Sequence, residues 1–102
     1  MSQIALIIQH RTLPALGEDV RRVWEAHMAP AIDANPGHLA YFYCLDENDA
    51  DSITAFQVYD NIESSHEFLQ TDAYAGYLRE VEPLLSGPPK VTSMKPVWQK
   101  QT

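Results

Sequence analysis

NPGHLAYFYCLDENDADSITAFQVYDN, residues 35–61, is the stretch that decides the fold. It opens on Asn35-Pro36-Gly37, a turn that stops a helix. Two runs of strand length follow, Leu39–Leu45 and Ile53–Tyr59, rich in aromatic and β-branched residues. Between them Asp46–Ser52 supplies Asp, Glu, Asn and Ser, a polar hairpin loop, and Asp60-Asn61 breaks the second run. The middle of the chain is therefore an antiparallel hairpin.

Toward the N-terminus, Glu18–Ala34 carries Val20, Val23, Trp24, His27, Met28, Ala31 and Ile32. That is the stripe of a helix lying on a sheet, with Glu18 and Asp19 at the end where the helix dipole favours acids. Pro30 predicts a kink or break near Ala29. Before the helix, Ile4–Ile8 is apolar at every position, as in a strand buried on both faces and central in its sheet. Toward the C-terminus, Ser64 to about Leu85 is helix-periodic, with cap candidates at Ser64 and Asp72 and a stripe of Tyr74, Tyr77, Leu78, Val81 and Leu85. Pro83 and Ser86-Gly87-Pro88-Pro89 end it, and Lys90–Trp98 forms a last strand. The order is β-α-β-β-α-β, the ferredoxin-like α+β arrangement, with an antiparallel sheet in the order 4-1-3-2. Its helices cover one face. The other is apolar on three strands, which predicts a homodimer through that face, with Trp98 and the last strand reaching the partner.

The 102 residues suffice for one domain, 1–102. With 7 Lys plus Arg against 14 Asp plus Glu, the net charge is -7. Without a basic patch, this excludes nucleic acid and anionic membrane surfaces as partners. The single Cys44 excludes an intrachain disulfide and a cysteine-based zinc site, and the scattered histidines form no metal-ligand spacing. No signal peptide or membrane span is legible, so the expected location is cytoplasmic. No motif for flavin, haem or nicotinamide is present, so no cofactor is expected.

The whole chain resembles the antibiotic biosynthesis monooxygenase (ABM) superfamily of dimeric α+β barrels. The likeness rests on Pro30 with Asn35-Pro36-Gly37, on Phe56-Gln57-Val58-Tyr59-Asp60-Asn61, on Phe68-Leu69-Gln70-Thr71, on Leu78-Arg79-Glu80 and on Gly87-Pro88-Pro89-Lys90. It implies one of several activities: cofactor-independent oxygenation of a quinol or aromatic polyketide, haem degradation, isomerisation of a phosphosugar ketone, or no catalysis. Arg79 matches an arginine that such oxygenases use to hold substrate. Elsewhere the chain departs from them: Tyr59-Asp60-Asn61 replaces a common Trp-Glu-Ser, Phe68 a helix histidine, Ala55 an asparagine and Cys44 a histidine.

Cofactorless oxygenation needs an apolar pocket, a proton acceptor and donors for the resulting anion. His10, at the end of strand 1, and Tyr59 are the candidates to move a proton. Arg79, by the resemblance, holds the anion. Period-2 parity groups Ala55, Gln57 and Tyr59 on one face and Phe42 with Cys44 on another. The pocket is expected between sheet and helices, lined by Phe42, Cys44, Gln57, Tyr59, Phe68 and Tyr77, with His10 and Arg79 at its mouth. Trp24, Tyr41, Tyr43 and Phe56 are further aromatic candidates. His38, following Gly37 in a turn, reads as a surface residue and His66 as exposed. Two readings follow: an oxygenase or isomerase, and a non-catalytic dimeric module that binds a small apolar or aromatic molecule. An Arg79 facing solvent favours the module.

Overall fold

In a computed structural model, which describes residues 2–100, four strands form one antiparallel sheet ordered β2-β3-β1-β4. The chain runs β1 (Ile4–Arg11), α1 (Gly17–Ala34), β2 (His38–Asp46), β3 (Asp49–Tyr59), α2 (Ile62–Phe68), α3 (Asp72–Val81), a 3₁₀ turn (Glu82–Leu84) and β4 (Lys90–Met94). This is the ferredoxin-like order, and the doubly apolar β1 lies between β3 and β4.

Contrary to expectation, α1 passes through Pro30 without a break. Proline removes one hydrogen bond, that of the Ala26 carbonyl. Ala26 and Pro30 both face solvent, where water replaces the missing donor. The expected second long helix is two helices. The Asn61 side chain accepts from the Ser64 N–H at 2.8 Å and starts α2, while the Thr71 side chain accepts from the Tyr74 N–H and starts α3. The caps are thus Asn61 and Thr71, not Ser64 and Asp72.

The core joins Val20 and Met28 of α1, Ile53 and Tyr59 of β3, Phe68 of α2, and Tyr77 and Val81 of α3. Complete burial of Val20 and Ile53 contributes about 1.5–3 kcal/mol each. At the α1–β2 turn the backbone approaches α2 closely: a β-carbon on Gly37 would lie 2.9 Å from that of Ser64. The Gly37 carbonyl also accepts from the Asp60 N–H at 2.9 Å, which fixes both ends of the β2–β3 hairpin beside α2. After α3, the Leu84 carbonyl accepts from the Leu13 N–H, and the Ser86 N–H donates to the Arg11 carbonyl. These bonds bring Leu85 and the Pro88-Pro89 segment against the end of β1, where His10 lies.

The uncovered sheet face carries Ile7, Phe42, Phe56, Val58 and Met94, with Phe42 59% exposed and Met94 46%. Among the described residues, no helix is long and apolar enough to cross a membrane.

Candidate functional site

Between the sheet and the helices lies a cavity of about 440 Å³. Its floor is built by parity. Leu6, Ile8 and His10 of β1 pair with Gln57, Ala55 and Ile53 of β3, and Tyr41 and Tyr43 of β2 pair with Gln57 and Ala55. Paired residues point to the same side, so all of these face the helices. Trp24 and Met28 of α1, Phe68 of α2, and Tyr74, Tyr77, Leu78 and Val81 of α3 form the roof. Glu82, Leu85, Pro88, Pro89 and Val91 complete one end. All 5 tyrosines of the chain line this space.

His10, Gln57, Tyr59, Phe68 and Tyr77 line the cavity; Phe42, Cys44 and Arg79 do not. The parity that groups Phe42 with Cys44 is correct, but the group faces the other way. Phe42 pairs with Phe56 and Cys44 with Thr54, on the bare side of the sheet. The cavity-facing pair of β2 is Tyr41 and Tyr43. Arg79 is exposed on α3, and its guanidinium folds back beside Gly76, 3.8 Å from where a β-carbon there would sit. On a helix surface at 100° per residue, Arg79 is turned well away from Tyr77 and Val81, which face inward. His66 is exposed, and His27 pairs with Glu80 across α1 and α3, outside the cavity.

His38, read from the sequence as a surface residue, points inward. A β-bulge between His38 and Ala40 shifts the register by one residue, and so rotates His38 onto the side shared by Tyr41 and Tyr59. Its ring lies 4.3 Å from that of Tyr59 and meets Phe68 edge-on at 4.7 Å. Asn35 Nδ2 donates to His38 Nδ1 at 2.9 Å, and His38 Nε2 donates to Gln57 Oε1 at 3.1 Å. The Asn35 oxygen accepts from the Gly37 N–H, which fixes the amide and with it the neutral Nε2–H tautomer of His38. Burial holds the His38 pKa below the ordinary 6.5, against the opposing hydrogen bond to Gln57. With its oxygen committed to His38, Gln57 has its NH₂ group left for the cavity.

His10 is in the opposite position. Burial lowers its pKa also, and Nδ1 is buried with no protein partner. The Tyr43 hydroxyl is likewise buried and unpartnered. Orphaned polar atoms of this kind are uncommon and mark places where a ligand or water completes the bonding. The Trp24 indole donates to the Tyr41 hydroxyl at 3.3 Å, and Trp24 stacks on Tyr43 at 4.2 Å. Burial raises the pKa of Tyr41 to about 12 and raises those of Tyr43, Tyr59, Tyr74 and Tyr77, so these phenols stay protonated. The site therefore offers neutral donors and acceptors inside an aromatic box. Among the described residues no cluster of His, Cys, Asp and Glu has the geometry to hold a metal ion.

The family model described as antibiotic biosynthesis monooxygenase matches residues 3–80. Among solved structures, proteins from Chloroflexus aurantiacus and Caulobacter crescentus, both provisionally named for that family, are similar. The first is 22% identical with TM-score 0.84, covering 98% of each chain. The second is 16% identical with TM-score 0.88, covering 95% of this chain and 92% of its own. A Methanosarcina mazei protein with no function in its name shares the fold at 10% identity and TM-score 0.83, covering 92% of each chain. None of the proteins of curated function matches the chain.

Proposed function

The chain belongs to the antibiotic biosynthesis monooxygenase family, and from that premise we propose that its cavity binds a small aromatic molecule. The observation that carries this reading is an aromatic-walled space of about 440 Å³, with all five tyrosines on its wall and, behind it, two buried polar atoms without a protein partner, His10 Nδ1 and the Tyr43 hydroxyl. A mono- to tricyclic ring system fits a pocket of that size, and a few placed polar groups orient it. Arg79, the one residue matching the oxygenases, faces solvent, so binding without chemistry is the leading reading. The test is titration with 1-naphthalenemethanol, followed by Trp24 fluorescence in a Trp98→Phe background. Saturable quenching, reduced at least about tenfold in affinity by Tyr43→Phe or His10→Leu, supports it; absence of quenching refutes it.

His10 favours a second reading, cofactor-independent oxygenation of a phenol or quinol. A neutral imidazole on the wall of an apolar cavity is suited to accept a phenolic proton at the ring nitrogen that carries the lone pair. The resulting anion would be held by Gln57 and tyrosine donors rather than by Arg79. Oxygen uptake with a panel of quinols and anthrones, without added cofactor, separates the two readings.

We also propose that two copies pair through the bare sheet face. Its exposed Phe42 and Met94, together with the C-terminal Val97 and Trp98, 89% and 81% exposed, supply the apolar surface a partner would cover.

A further inference from the structure

The charge census of the cavity is one-sided. Among the described residues on its wall, Glu82 is the one carboxylate and there is no Lys or Arg. Glu82 is exposed at the start of the 3₁₀ turn and has no ion-pair partner among the described residues. Lys90 is exposed and stands between the wall residues Pro89 and Val91 without belonging to the wall. Arg79 is turned outward. Arg21, close enough to influence the Tyr43 hydroxyl, is itself held by Glu18 and Glu25 at 3.8 and 3.7 Å. His10 is kept neutral by burial and the tyrosines are kept protonated, so the interior provides no cation of its own. Outside, the chain carries a net charge of -7 and so attracts cations and repels anions at long range.

Resting on the reading that the cavity takes a small aromatic molecule, we propose that the preferred ligand is an aromatic amine, its rings inside the tyrosine-lined box and its ammonium at the mouth against Glu82. The tyrosine faces add to this preference, since their ring quadrupoles attract a cation and not an anion. A carboxylate or phenolate ligand of the same shape meets only neutral donors inside and a like charge at the mouth.

Three isosteric probes test the charge preference on the full chain carrying Trp98→Phe: 1-naphthalenemethylamine, 1-naphthalenemethanol and 1-naphthoate. At pH 7.5 and low salt, the amine is expected to bind about five- to tenfold tighter than the alcohol, the sum of an exposed ion pair and a cation–π contact. The carboxylate is expected to bind at least about tenfold weaker than the alcohol. Glu82→Gln should reduce the amine preference to about the twofold that the tyrosine faces supply, and Glu82→Lys should favour the carboxylate. Equal affinity for alcohol and carboxylate, or an amine preference undiminished by Glu82→Gln, overturns the proposal while leaving the aromatic-ligand reading standing. Failure of the alcohol itself to bind removes that reading as well.

Discussion

His38 Nε2 lies 3.1 Å from Gln57 Oε1, an inter-strand hydrogen bond inside the aromatic box that neither residue's sequence neighbourhood announces. Replacing His38 by Phe leaves a buried amide oxygen without its donor. The expected cost is about 1–3 kcal/mol in urea unfolding. Affinity for an aromatic ligand should fall too, because the Gln57 NH₂ is no longer held toward the cavity. Gln57→Leu in the His38→Phe background should recover part of the stability and none of the affinity.

Stability should depend on pH through the two buried histidines. His10 and His38 are held below 6.5 in the folded chain, while the unfolded chain titrates near that value. Below about pH 6.5 the unfolded state therefore binds more protons, and stability falls as pH drops toward the folded values. Asp49, held below 3.8 by backbone and Arg11 hydrogen bonds, acts only at more acid pH. Melting temperature should drop between pH 7 and 5, and the drop should shrink in His10→Asn. A flat profile over that range contradicts the burial of both rings.

Arg79→Ala should change neither ligand affinity nor stability beyond about 0.5 kcal/mol, as for an exposed side chain with no ion pair among the described residues. A large loss of affinity in calorimetry requires Arg79 to reach a ligand from its outward position, and revives the oxygenase reading.

Gly37→Ala should destabilise by about 1–3 kcal/mol, because the new β-carbon meets that of Ser64 at 2.9 Å. Adding Ser64→Gly should relieve most of the clash. Thermal melts of the single and double variants decide this.

Phe42→Lys should convert a dimer to a monomer. Phe42 projects from the bare face beside Phe56, with ring centroids 6.4 Å apart. Light scattering of the unmodified chain should give twice 11.5 kDa, and of the variant 11.5 kDa. A monomeric unmodified chain at micromolar concentration removes the dimer proposal.

Element order and strand order follow from the sequence because they rest on long, strongly patterned segments. Ile4–Ile8 is central in the sheet because nothing else in a small sheet can bury both faces of a strand. The cavity side of β2 was not legible. Both its side-chain sets are apolar, so parity separates Tyr41 and Tyr43 from Phe42 and Cys44 without saying which pair faces the helices. That depends on the cross-strand register with β3, and this pairing extends back to Asp46 and Asp49 through residues that read as loop. His38 was hidden for a related reason, since one extra residue in the bulge reverses its side. Arg79 illustrates the reverse case: a motif match fixes its position in the helix, whereas the inward stripe of Tyr77 and Val81 fixes its direction. Using that stripe alone, Arg79 reads as outward.

The bulge at Leu39 also makes the pocket's chemistry separable from its architecture. Everything from Ala40 onward keeps its alternation whether or not the extra residue is present, whereas the side chain just before it is toggled between the ligand space and the opposite surface. Loss of the His38 codon would bring Leu39 opposite Tyr59 and exchange an imidazole in the aromatic box for a leucine, with the helices, the hairpin and the strand order untouched. The mouth of β2 thus works as a phase dial, by which relatives of one shape could come to hold unlike molecules.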